Sequence, residues 1–152
     1  MKTIVKTIVI YDHPASMQIH RELFHFDDDA YVSAGGDLIG MLQGLDVHGG
    51  STVSVAAQWR GMISLALWRH DPTVEDVSAF LLSVMPECKE ILLTASADEV
   101  FEFMYKQKRF DCLRRLSNTT KRLIEKHVRD KRLRIEFHLV SEANGSIITS
   151  SL

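Results

Sequence analysis

The residues of this 152-residue chain best placed to do chemistry are cationic. From Lys106 to Arg134 stand twelve Lys and Arg (Lys106, Lys108, Arg109, Arg114, Arg115, Lys121, Arg122, Lys126, Arg129, Lys131, Arg132 and Arg134) against three acids, Asp111, Glu125 and Asp130. The whole chain has a formal net charge of −2, so the remainder is acidic. A basic segment inside an otherwise acidic protein is the electrostatic footprint of a phosphate-binding surface, because each neutralised phosphate releases condensed counterions. The competing reading is a solvated helix face. Phe110, interleaved with these cations, either stacks on a base or packs beneath them, and helical spacing favours packing.

Other chemistries find little support. His13, His20, His25, His48, His70, His127 and His138 form no HExxH or HxH pattern, and His20 and His25 are one step too far apart to be neighbours on a helix face, so they read as surface or core residues. No GxSxG is present to mark a nucleophilic serine. Cys88 and Cys112 show no CxxC or CxxH spacing, which excludes a disulfide scaffold and a zinc finger and fits a reducing compartment. GGDLIG at 35–40 lacks the following lysine of a phosphate loop.

At 45% apolar and 25% charged, with eight glycines and three prolines, the chain has the composition of one globular domain. Its longest apolar runs are far shorter than a bilayer span, and MKTIVKTIVIYD turns acidic before a signal-peptide core develops, so a cytoplasmic location is expected. Residues 3–11 read as a buried strand stopped by Asp12, His13 and Pro14. SMQIHRELFHF reads as an amphipathic helix, DDD at 27–29 as a polar break and GGDLIGMLQGLD as a short helix opened by Gly35 and Gly36. Residues 51–69 read as two strands in a hairpin around Trp59, Arg60 and Gly61, with Trp59 and Trp68 covering the sheet or meeting a partner chain. Asp71 or Thr73 caps a helix from Pro72 to Pro86; residues 89–95 read as a strand. Ser96 and Glu99 form a capping box for the next helix. After a basic connector, Asn118 or Thr119 opens a helix, and RLRIEFHLV alternates as a last strand.

Three stretches in this succession resemble the ribonuclease H fold: TVSVAAQWRGMISLALWRHDPTVEDVSAFLLSV is similar to its second and third strands and first long helix, KEILLTASADEVFEFM to the next strand and helix, and RLRIEFHLVSEANGS to its last strand and loop. IVIYDHPAS is similar to its first strand. The resemblance implies a single α/β domain over 1–152, a mixed five-stranded sheet flanked by helices, with residues 13–50 as an insertion. It also implies four carboxylates holding two magnesium or manganese ions for phosphodiester cleavage. Asp12 matches the first position and Glu75 the helix glutamate, with Asp76 as competitor. The third falls on Ala95, the fourth near Ile148 or Thr149, and the mobile histidine is replaced around Ser141 and Glu142. Two ligands of four remain, too few to hold paired divalent ions, unless Asp27, Asp28, Asp29, Asp37, Asp46 or His48 folds back toward Asp12.

The leading expectation is therefore a non-catalytic nucleic-acid-binding protein using the basic segment, with Lys106, Lys108, Arg109, Arg114, Arg115, Lys121 and Arg122 on phosphates and no cofactor. The alternatives are a metal-dependent nuclease with a rearranged carboxylate site around Asp12 and Glu75, and an interaction module that forms a homodimer or captures another protein.

Overall fold

The computed structural model describes residues 7–45, 51–128 and 133–151. Residues 3–6 of the expected first strand, Asp46, His48, and Arg129, Asp130, Lys131 and Arg132 of the basic run lie outside the described residues. The chain is an α/β protein around one five-stranded mixed sheet. Its strands are β1 (Thr7–Tyr11), β2 (Tyr31–Ser33), β3 (Thr52–Ala57), β4 (Arg134–Ser141) and β5 (Ser146–Ser150). They lie in the order β2-β1-β3-β4-β5, all parallel except β5, which runs antiparallel to β4.

Among the described residues seven α-helices connect the strands: α1 (Pro14–Phe24), α2 (Leu38–Gln43), α3 (Trp59–Leu67), α4 (Val74–Val84), α5 (Lys89–Thr94), α6 (Ala97–Lys106) and α7 (Phe110–His127). The strand period of two divides the side chains between two faces. Ile10, Val53, Val55, Ile135, Phe137 and Leu139 point into the main core under α2–α7. Val9, Ala56 and Val140 point the other way, with Ile19 of α1 and Tyr31 packed against them.

The expected hairpin at 51–69 is replaced by a strand and a helix. Residues 52–57 form β3, but Trp59, Met62, Ile63, Leu65 and Ala66 are buried at helical spacing on α3. Gly61 serves close packing there, not a turn. A Cβ on it would stand 3.0 Å from Asp12 Oδ2 and 3.1 Å from both Ala57 Cβ and Leu38 Cδ1. Gly61→Ala is therefore expected to lower stability by about 1 kcal/mol by urea unfolding, overpacking outweighing the higher helix propensity of alanine.

Residues 89–95 are likewise helical, as α5, so Ala95 caps a helix and does not end a strand. The expected helix start at Asn118 or Thr119 lies mid-way along α7, where Thr119 and Thr120 return their hydroxyls to Arg115 O and Leu116 O at 2.8 Å. The segment expected as an insertion supplies α1, β2 and α2, so it belongs to the sheet and both of its faces. The capping box at Ser96 and Glu99 and the Thr73 cap of α4 form as the residues dictate.

Candidate nucleic-acid interface

Of the described basic residues of the run, those from Lys106 to Lys126 are gathered on α7 and the corner that precedes it, whereas Arg134 opens β4 and lies 3.8 Å from Glu136. Lys108, in the left-handed region at φ 55°, turns the chain out of α6, with its N–H bonded to Tyr105 O and that of Arg109 to Met104 O. α7 then buries Cys112, Leu113, Leu116, Ser117, Thr120 and Ile124 along one stripe. With 100° per residue, this stripe forces Arg114, Arg115, Arg122 and Lys126 onto the exposed side, with half-buried Lys121 at its margin.

These cations play two different parts. Arg115 donates to Val84 O at 2.9 Å and to Glu87 Oε1 at 2.6 Å, clamping α7 to the end of α4, and this pair keeps the guanidinium protonated. The Glu87 carboxyl is held below its usual range by its own backbone N–H and by Arg115. Arg109 lies 3.2 Å from Asp111 and reaches the Cys112 thiol at 3.2 Å, which places it in the α7 N-terminal turn and not out in solvent. By contrast, among the described residues Lys106, Lys108 and Arg114 meet no carboxylate, and Arg122 meets only Thr119 Oγ1 at 3.5 Å. Lys121 pairs with Glu125 at 3.8 Å, one turn along the helix. Phe110 sits edge-on to Tyr105 and is partly exposed, packing at the corner.

The carboxyl end of the sheet tells a different story. β1 continues through α1 on one face, whereas β2 returns to β3 through α2 on the other. A switch in connection therefore falls between β1 and β3, where open α/β sheets commonly bind ligands. Asp12 stands there. Its Oδ1 accepts from the buried Ser16 hydroxyl at 2.7 Å and its Oδ2 from the Gln58 N–H at 2.9 Å, the residue before α3. Asp12 thus ties the first turn of α1 to the entry of α3, and Gln58 reaches on to Glu142 at 3.5 Å.

Glu75 lies exposed in the first turn of α4, beside Asp76, which pairs with Arg69. Among the described residues no three His, Cys, Asp or Glu side chains are placed to hold a metal ion, so no aspartate of 27–29 or 37 completes a site with Asp12 and Glu75. Asp37 instead caps α2 through Gly40 N, and Asp28 pairs with Arg21. Ile148 and Thr149 lie within β5, where the Thr149 hydroxyl meets Ser117 at 2.6 Å.

Sequence reasoning missed one cluster. His20 and His138, 118 positions apart, face one another between α1 and the sheet with ring centroids at 5.2 Å. Nδ1 of His20 meets Tyr31 at 2.8 Å and that of His138 meets Ser150 at 2.7 Å, while both Nε2 atoms are buried without a partner. The apolar residues around both histidines, Ile19 beside His20 and Val140 two positions after His138 on the same strand face, are the signal the sequence offers. Cys112, buried beside Asp111, has its thiol pushed up to about 11, which removes it as a nucleophile.

Comparison with protein-family models, with curated proteins and with solved structures finds no match to this chain.

Proposed function

We propose that the protein is a non-catalytic nucleic-acid-binding protein that grips the phosphate backbone through the outer face of α7. One observation carries this reading: packing of a single apolar stripe turns Arg114, Arg122 and Lys126 outward on one helix, with Lys106 and Lys108 at the corner beside it. Arg114 and Arg122 on the helix, with Lys106 and Lys108 at its corner, meet no carboxylate among the described residues, which leaves their charge available to phosphates. Arg115 supports that face by tying α7 to the end of α4, Arg109 closes the first turn of α7, and Lys121 extends the face. The occupation of both Asp12 oxygens by Ser16 and Gln58 favours binding without cleavage.

Phosphate contacts position without specifying, so duplex DNA and RNA–DNA hybrids of unrelated sequence are expected to bind alike. About four or five such contacts predict an affinity loss of about two to three orders of magnitude between 50 and 200 mM salt. Fluorescence anisotropy with labelled oligonucleotides checks this. Arg114→Glu with Arg122→Glu is expected to weaken binding about fiftyfold at 0.1 M salt. No binding to duplex, hybrid or single strand at low salt, or binding that ignores this double substitution, sinks the proposal.

A further inference from the structure

Away from α7, the start of α4 and the junction of α5 with α6 flank an open cavity of about 160 Å³. Its inner wall is apolar: Val77 and Leu81 from α4, Leu92 from α5 and Val100 from α6. The space exists because the residues that meet there are small. Ala95, Ser96 and Ala97 form the junction, and Ser78 faces them from α4.

The rim is held from several sides. The Trp59 indole N–H donates to Ala97 O at 2.9 Å, the Ser96–Glu99 capping box fixes the start of α6, and Thr73 caps α4 through Asp76 N at 3.1 Å. Walls anchored in this way cannot collapse into the space, so the cavity is preformed and a ligand meets little ordering cost. No charged side chain lines it. Among the described residues the Ser78 hydroxyl makes no hydrogen bond, so this side-chain hydroxyl of the lining is left for a ligand. Val74, 78% exposed, stands at the mouth.

Volume and lining together define the ligand. A closed apolar cavity of about 150 Å³ accepts one benzene ring, and this one, open to solvent beside Val74, has a similar volume. We propose that the cavity binds a small neutral ring molecule of phenol size, its ring among Val77, Leu81, Leu92 and Val100 and its single polar group on Ser78. Charged molecules are rejected because the wall offers no counter-charge.

The test is an amide-shift NMR titration of the full chain with phenol and with toluene. Both are expected to give saturable shifts confined to the amides of Val77, Ser78, Ala95 and Val100. Ala95→Leu fills the space and abolishes both. Ser78→Leu fills it from the outer wall and decides the matter if Ala95→Leu disturbs folding. Ser78→Ala is expected to weaken phenol about fivefold and leave toluene unchanged, as the loss of one neutral hydrogen bond requires. Shifts that do not saturate or scatter over the molecule, or a folded space-filling variant that binds as before, overturn the proposal. Equal effects of Ser78→Ala on both probes overturn the role of its hydroxyl.

Discussion

Between pH 6.5 and pH 4 the protein is expected to lose about 3 kcal/mol of stability through His20 alone. Burial, reinforced by neighbouring His138, pushes the His20 imidazole from the ordinary value of 6.5 to about 4. Above pH 7 the side chain is neutral in both folded and unfolded chains and contributes nothing to the pH dependence. As pH falls through 6.5 the unfolded chain takes up a proton that the folded protein refuses, so unfolding gains. Below about pH 4 both states are protonated and the loss levels off. At pH 5 about 2 kcal/mol is already gone.

His138 acts in the same direction, since burial lowers its affinity for protons despite the opposing influence of Glu136. Urea unfolding at pH 7.5, 6 and 5 checks the effect. His20→Gln, which can still bond Tyr31, is expected to remove most of the decline over that range. A wild-type stability that stays level to pH 5 contradicts the buried, neutral assignment.

Asp12→Ala is expected to lower stability by about 3 kcal/mol, because it leaves the buried Ser16 hydroxyl and the Gln58 N–H without their charged acceptor. For a chain of this length that is a fall of about 6–12 °C in Tm. Calorimetry in EDTA and again in magnesium separates the two roles considered for this carboxylate. A tie between α1 and α3 predicts the same fall in both buffers. A metal ligand predicts that magnesium raises the Tm of the wild type and that the substitution has little effect in EDTA.

Much of the architecture could be read from the residues where two signals coincided. β1 combines β-branched residues with a Pro14 stop, α4 combines a Thr73 cap with apolar residues at helical spacing, and α6 combines a capping box with Val100, Phe101 and Met104. The errors fell where one signal stood alone. WRGMISLAL is apolar nearly all round, so composition favoured a strand and the period was hidden. Its glycine looked like a turn, although it is there to let α3 approach Asp12. KEILLT is too short to show any period. β5, SIITS, follows Asn144-Gly145, a hairpin signal that stands in the sequence and that Gly145 realises at φ 63°, but the strand itself is short and is defined by its pairing with β4.

The site was legible in the same uneven way. A charge run is visible in sequence, but which cations face solvent depends on partners such as Glu87 and Val84 O, far away in the chain. Asp12 stood out as a chemically interesting carboxylate. Its hydrogen bond to the N–H of Gln58, 46 positions later, is a product of β1 lying beside β3 and has no local signature.

The two tryptophans give the protein an optical readout of its own. Trp59 is buried in the core, so its emission reports the loss of the fold. Trp68 instead lies flat on His127 at 4.3 Å, with 5° between the rings, at the last residue of α7. An imidazole in contact quenches indole emission, so any parting of His127 from Trp68 is expected to brighten it, and the far end of the basic helix can be watched without attaching a dye.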